Sequence, residues 1–208
     1  MAIGRKLADI GRMRLCSSLP GYLAVAMVCL ISSANSAEAS SGEFPEPIDL
    51  GGVSLVLNGQ ATRSVFGVRV YDAGLYVSHA TDDGAAIMER NMGPKRLKII
   101  LRRAVPSDKF SSSVRDNLDR NLTPAEQAVF ADHLAAFFKS LKIGTDLNRG
   151  TEVTIDYLPG EGTVVMVNGQ RRAVIPGHDF YHALLRLWIG KPLQSSMKTG
   201  LLGKGKLK

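Results

Sequence analysis

Hydrophobic and polar residues alternate through much of the segment 50–105, as is typical of half-buried β-strands. Residues 53–57 predict a first strand. The Asn58-Gly59 pair that follows favours a two-residue hairpin turn, because both residues tolerate positive φ. We therefore expect the next strand to pair antiparallel with the first.

That next strand, residues 65–77, is rich in β-branched and aromatic residues, which favour a pleated sheet over a helix. Strict alternation would place Arg69 and Tyr71 on one face of it. Arg63 is a lone cation just before this apolar strand, and we expect both to lie near whatever the protein binds. The alternative is an ordinary solvent-exposed arginine at a strand end.

A helix is predicted after Pro106, with Ser107 as its N-cap. One face of this helix carries, at helical spacing, Phe110, Val114, Asn117 and Leu118. Asn117 is the polar member of the face, and a buried amide needs hydrogen-bond partners. We expect Asn117 either to bond to the backbone or to reach into a cavity.

Capping and turn residues in the sequence predict the bounds of several remaining helices and strands. The sequence Thr-Pro-Ala-Glu at 123–126 predicts a helix start with a capping box, and Gly144 is the expected end of that helix. Asn168-Gly169 predicts a hairpin turn between two strands. The other predicted elements are helices at 82–92, 179–189 and 193–202, and strands at 95–105, 151–157, 163–167 and 170–175.

The order of these elements is strands, a helix, a strand, two helices, three strands and two helices. Consecutive hairpins favour a large antiparallel sheet with helices packed on one face, so the predicted fold class is α+β. The 208 residues suffice for one domain with a sizeable core.

Residues 1–39 have the three parts of a secretory signal peptide: a basic start, an apolar run at 19–31 and an Ala-x-Ala sequence ending at Ala39. We expect cleavage near Ala39 and a periplasmic or secreted protein, with either Met1 or Met13 as its start. The alternative is a retained membrane anchor, but the apolar run is short of the ~20 residues that span a bilayer. The expected division of the rest is a linker at 40–49, a domain at 50–203 and a basic tail at 204–208.

Removal of that segment also removes both cysteines, Cys16 and Cys29, which excludes disulfides, thiolate metal sites and cysteine nucleophiles from the remainder. The formal net charge is +7, and residues 1–39 hold four of the basic and two of the acidic residues, which leaves +5. A basic tail can contact nucleic acid or anionic lipid. Export argues against nucleic acid as a partner, and a solvated tail is the simpler interpretation.

The sequence lacks the motifs of several familiar chemistries: a dinucleotide loop, a phosphate loop, a nucleophile elbow and a paired-cysteine site. His178 and His182, four residues apart on a predicted helix, could share a metal ion. No third ligand is evident, and Asp179 is one methylene shorter than the glutamate of the zinc-protease motif. We therefore expect no metal and no cofactor, and two partly exposed histidines on the outer face of the helix.

Three blocks of the sequence together resemble the chalcone isomerase-like superfamily, and more closely its exported bacterial branch. The blocks are RSVFGVRVYDAGLYV, KFSSSVRDNL and FYHALLRLWIGKPLQSSMKTGLLG. The resemblance implies an open-faced β-sandwich, in which a ligand cleft lies between a large antiparallel sheet and a helical layer. Plant members of the superfamily close chalcones into flavanones, with an arginine that positions the oxyanion of the ligand. Other members bind fatty acids with the same arginine.

The resemblance also implies roles for individual residues. Arg63 corresponds to the arginine of the family, and Asn117 to an asparagine of its cleft. Phe110 takes the place of the catalytic tyrosine, Tyr71 that of a strand threonine, and Tyr181 that of a threonine or serine on the late helix. Without a hydroxyl at Phe110 the cleft loses a polar contact of the kind that catalysis needs. One cation, one amide and apolar walls suit an anion with an apolar body.

These residues predict a periplasmic protein that binds a small apolar carboxylate or phenolate, such as a fatty acid, without flavonoid-forming activity. A second hypothesis is an isomerase, an intramolecular lyase that acts on an enone, with Arg63 as electrophilic clamp and Tyr71 or Tyr181 as acid. A third is a non-catalytic interaction protein with a vestigial cleft.

Overall fold

The computed structural model describes residues 43–142 and 146–204, with only the backbone described at Asp146. Seven strands form one antiparallel sheet in the order β1-β2-β3-β4-β7-β8-β9, and β5 and β6 form a separate pair. The strands are β1 (Ile48–Leu50), β2 (Val53–Val65), β3 (Val68–Val77), β4 (Lys95–Leu101), β5 (Val105–Pro106), β6 (Asp146–Leu147), β7 (Glu152–Leu158), β8 (Gly162–Val167) and β9 (Gln170–Ile175). The helices are α1 (Gly84–Met88), α2 (Ser107–Asn121), α3 (Pro124–Val129), α4 (Ala131–Leu141), α5 (His178–Ile189) and α6 (Ser195–Leu201), with a 3₁₀ turn at Arg90–Met92.

The helices cover one face of the sheet, and the main core lies between them. Leu97, Ile99 and Leu101 of β4 are buried in this core, as the alternation predicts. Helix α5 is buried along most of its length, because it packs against both the sheet and the other helices. The predicted α+β class, with a helical layer on an antiparallel sheet, is confirmed.

The hairpin that joins β2 to β3 turns at Phe66-Gly67, so the predicted turn at Asn58-Gly59 is wrong. Strand β2 continues through Asn58-Gly59 to Val65 and pairs with β3 across the later turn. Both turn residues have positive φ, 48° at Phe66 and 78° at Gly67. Phe66-Gly67 therefore has the positive φ values that were expected of Asn58-Gly59. The turn lies eight residues further along the chain than predicted.

Asn58 and Gly59 instead hold β2 against α6. The Asn58 amide donates to the carbonyl of Leu201 at 2.8 Å and accepts from the backbone N–H of Thr81 at 2.8 Å. A β carbon at Gly59 would collide with the carbonyl oxygen of Gly200. The backbones of strand and helix thus meet where no side chain separates them.

A β-bulge in β3 separates Arg69 from Tyr71, so the prediction that they share a face is wrong. Arg63 pairs with Tyr71 and Ser64 pairs with Arg69, which leaves Val70 as an extra residue in the ladder. A bulge shifts the alternation by one residue. Tyr71 consequently faces the helices, and Arg69 lies on the opposite face of the sheet.

A network of ion pairs covers that opposite face. Asp72 is buried and accepts hydrogen bonds from Thr62, Arg69 and Arg102. Arg102 also contacts the carboxylate of Glu43. Glu43 precedes β1 in the segment predicted as a linker, and residues 48–49 of that segment belong to β1.

Helix α2 begins one residue earlier than predicted. Pro106 takes the N-cap position and Ser107 is the first helical residue, so the predicted serine cap is wrong.

The capping box of Thr123 and Glu126 is confirmed. The helix with this capping box, α3, ends at Val129 and is followed by α4. The predicted end at Gly144 lies outside the described residues. The Asn168-Gly169 turn is confirmed, with φ of 48° and 74°.

His178 and His182 lie against the core rather than on the outer face of α5, contrary to expectation. His182 is 9% exposed, its ring centroid lies 3.8 Å from that of His178, and both rings pack on Tyr157. Burial, with the nearby charge of Lys95, lowers the pKa of His182 to about 3. In the part of the chain that the structure describes, no three His, Cys, Asp or Glu residues are grouped to hold a metal ion.

The predicted signal peptide and most of the predicted basic tail lie outside the described residues. Within residues 43–142 and 146–204, no helix is long and apolar enough to cross a membrane.

Candidate ligand cleft

A cleft with a cavity of about 90 Å³ lies between the sheet and α2. Four of the five predicted site residues line it: Arg63 and Tyr71 from the sheet, and Phe110 and Asn117 from α2. The segment between α5 and α6 closes another side. Apolar side chains that contribute to the walls include Val65, Val70, Ile99, Val105, Leu187 and Met197.

Arg63 enters the cleft from the end of β2, and its described contacts are all to neutral oxygens. Its Nη1 donates to the carbonyl of Ser64 at 2.7 Å and to Oε1 of Gln194 at 3.0 Å. No carboxylate among the described residues lies within ion-pair distance of it. A guanidinium carries five N–H donors, so several of them remain for a ligand.

Gln194 fixes the position of this arginine. Its Oε1 also accepts from the backbone N–H of Ser64 at 2.9 Å, and its Nε2 donates to the carbonyl of Thr62 at 3.0 Å. The side chain thus binds to the end of β2 at three points, across the cleft from α2. Sequence reasoning missed Gln194, because no local pattern marks a contact between residues 131 positions apart.

Tyr71 supplies a neutral hydroxyl beside the arginine. Its oxygen accepts a hydrogen bond from Nε1 of Trp188 at 3.2 Å. Burial raises the pKa of Tyr71, and the Trp188 bond and the charge of Arg63 oppose that effect only in part. The hydroxyl is therefore protonated near neutral pH, and its hydrogen has no acceptor among the described residues. It can donate to an anion bound at Arg63.

Asn117 meets both alternatives that the sequence left open, because it bonds to the backbone and also lines the cavity. Its Nδ2 donates to the carbonyl of Leu187 at 2.8 Å, and its Oδ1 accepts from Asn121 at 3.1 Å. Asn121 in turn bonds to both the N–H and the carbonyl of Lys191. These amides join α2 to the end of α5, and they hold the wall of the cleft in place. Asn121, one helical turn after Asn117, was not singled out from the sequence.

Tyr181, the fifth predicted site residue, lies elsewhere. It is buried in the core, with its ring centroid 5.5 Å from that of Tyr157. Burial holds the pKa of its hydroxyl far above the usual value. Helix α5 presents Leu187 and Trp188 to the cleft instead, about two turns further along. The isomerase hypothesis thus retains Arg63 and Tyr71 but loses Tyr181 as a proton donor.

Comparisons with known proteins agree with this architecture. A profile described as chalcone isomerase-like matches residues 36–203. The chain belongs to the chalcone isomerase-like family. Among the solved structures that match is a fatty-acid binding protein of Arabidopsis thaliana, with 16% sequence identity and a TM-score of 0.58. The match covers 80% of this chain and 97% of that one.

At that identity the likeness shows the fold alone, and the predicted chalcone isomerase-like fold is confirmed. No curated protein has significant sequence similarity to the chain.

Proposed function

We propose that this protein binds a small apolar carboxylate of the fatty-acid type, with the head group at Arg63 and the apolar body between the sheet and α2. The observation that carries the proposal is the Arg63 guanidinium, which lines an apolar cleft and has only neutral partners among the described residues. Family membership and the shared fold of a plant fatty-acid binding protein support the same ligand class.

The chemistry of the cleft suits a carboxylate better than a neutral polar ligand. A guanidinium binds a carboxylate through two parallel hydrogen bonds, which are stronger than those between neutral groups. The Tyr71 hydroxyl supplies a further donor on the same side. The opposite wall is apolar at Phe110, where a hydroxyl would be needed for the chemistry of the plant isomerases. These features favour binding over bond rearrangement.

The size of the cleft limits what it encloses. About 90 Å³ is well below the roughly 300–1,000 Å³ that is usual for a pocket enclosing a drug-sized ligand. The carboxylate and the first carbons of a ligand therefore fill the cavity. The remainder of an alkyl chain extends along Val65 and Val70 at the mouth, or displaces the walls.

We further propose that residues 1–39 direct the protein to the periplasm and are then removed. The N-terminal residue of the protein purified from a cell fraction, determined by mass spectrometry, tests this directly. A new N-terminus near Ala39 in the periplasmic fraction is the expected result. An intact N-terminus in the cytoplasmic fraction would contradict it.

Titration with a fluorescent fatty acid tests the binding site. Arg63→Ala should weaken binding about 10- to 100-fold, because it removes charge-assisted hydrogen bonds worth about 1.5–3 kcal/mol. Arg69→Ala is the matched control: it removes the same charge six residues away on the other face of the sheet, and should leave the affinity unchanged. Equal affinities of Arg63→Ala and the unmodified protein would refute the proposal. Native mass spectrometry of the purified protein should also reveal a co-purified acid.

A further inference from the structure

The tip of the β2–β3 hairpin presents an apolar surface to solvent. Phe66 is 102% exposed, and its neighbours Val65 and Val68 are 41% and 49% exposed. The described residues include five large apolar side chains with this degree of exposure, and three of them lie at this tip. Such clustering marks an interaction site more often than single exposed apolar residues do.

The backbone conformation of the tip is unfavourable for an aromatic residue. The turn at Asn168-Gly169 has φ values of 48° and 74°, almost the same as the 48° and 78° at Phe66-Gly67. Asparagine is suited to this conformation, whereas a bulky side chain pays a steric cost there. The chain thus has the favourable asparagine in the β8–β9 turn and a fully exposed phenylalanine in the β2–β3 turn. A strained position of this kind points to function.

The charges around the tip identify the kind of partner. Residues 63–70 contain two arginines and no acidic residue, and Arg69 remains 61% exposed although it pairs with Asp72. Lys109 is exposed and lines the same cleft mouth as Val65. Apolar side chains surrounded by cations suit the interface of an anionic bilayer, where an aromatic ring enters the head-group region and cations approach the phosphates.

The apolar tip is continuous with the candidate cleft, because Val65 belongs to both. We propose that the Phe66 hairpin inserts into the surface of an anionic lipid bilayer and places the mouth of the cleft against it. This docking depends on the exposed tip and its charges, and it holds whether or not the cleft binds a fatty acid.

A tryptophan that replaces Phe66 reports whether the tip of the hairpin enters a lipid bilayer. In the full protein as purified from its producing cells, Phe66→Trp is mixed with vesicles of phosphatidylglycerol and phosphatidylcholine in equal parts. Its emission should shift to the blue and be quenched by brominated lipid, after subtraction of the signal of Trp188, the single native tryptophan. Val129→Trp, an exposed apolar position on α3, is the matched control and should show neither change.

A second variant separates docking from folding. Phe66→Asn suits the turn, so it should fold at least as stably as the unmodified protein. Its affinity for the vesicles should fall about tenfold, since the apolar ring is lost, whereas Val129→Asn should have no effect. The proposal is overturned if Phe66→Trp is not quenched, or if both tryptophans are quenched equally. A blue shift that needs no lipid and grows with protein concentration overturns it as well, since a second copy of the chain then covers the tip.

Discussion

Oε1 of Gln194 lies 3.0 Å from Nη1 of Arg63 and accepts a hydrogen bond from it. The guanidinium is thus held by a neutral oxygen. A carboxylate in the same position would neutralise its charge. The arginine keeps a defined orientation and an unbalanced charge at the same time. Both properties favour the binding of an anion from solution.

Gln194→Glu should weaken the binding of a fatty acid at least about tenfold, because the new carboxylate pairs with Arg63 and competes with the ligand. The change preserves the shape and length of the side chain. Titration with a fluorescent fatty acid measures the affinity, and Gln60→Glu, an exposed position on the opposite face of the sheet, is the matched control. An unaltered affinity in Gln194→Glu would show that the ligand does not use Arg63.

Tyr71→Phe should reduce the affinity about 3- to 10-fold, which corresponds to the loss of one ordinary hydrogen bond to the carboxylate. The variant also leaves Nε1 of Trp188 without its acceptor, so its stability has to be measured alongside the affinity. The matching methyl ester should lose less affinity on the same substitution, because it lacks the charged acceptor. Equal losses for acid and ester would assign Tyr71 a purely structural role.

Asn121→Ala should lower the free energy of unfolding by about 1–3 kcal/mol, since it removes hydrogen bonds to Asn117 and Lys191 that join α2 to the end of α5. Urea denaturation measures this change. Asn91→Ala, at an exposed position, serves as control and should alter stability little. A negligible effect at Asn121 would mean that the cleft wall does not depend on these amides.

His182 should make the protein less stable in mild acid. The unfolded chain protonates this imidazole near the ordinary value of 6.5, whereas in the fold the pKa is lowered to about 3 by burial and by the charge of Lys95. The unfolded state therefore binds more protons between these values, and the stabilisation is lost as the pH falls from about 6.5 towards 3. His178 and Arg90 add to this lowering, while Asp179 opposes it.

Urea denaturation at about pH 7 and about pH 5 tests this linkage. The unmodified protein should lose at least about 1 kcal/mol more than His182→Leu on acidification. The matched control is His79→Leu, which removes an imidazole from an exposed position. Identical slopes for His182→Leu and the unmodified protein would contradict the buried, neutral state of the imidazole.

Local signals predicted much of the fold correctly, because the interactions behind them are local. The capping box at Thr123 and Glu126 needs only one helical turn, and the Asn168-Gly169 turn needs only its own backbone. The alternation in β4 likewise depends on a single strand. For the cleft, the family resemblance brought together Arg63, Tyr71, Phe110 and Asn117, which come from distant parts of the sequence.

The errors arose where distant contacts outweigh local preference. Asn58-Gly59 has the composition of a turn, but contacts with α6 keep it inside a strand. The bulge at Val70 shifts the alternation by one residue, and nothing in the sequence marks it. Tyr181 was placed by alignment, whereas the helix presents residues about two turns later to the cleft. Only the folded chain reveals these arrangements.

The bond between Asn58 and Leu201 also bears on how the molecule reaches its native state. It joins residues 143 positions apart, and β2 and α6 touch backbone to backbone beside it. Contacts between such distant segments form late and slowly, because the intervening chain must first be ordered. During synthesis, β2 has no partner at this position until α6 has been made, because Leu201 follows Asn58 by 143 positions. The packing of β2 is therefore completed only once the chain has been synthesised through α6.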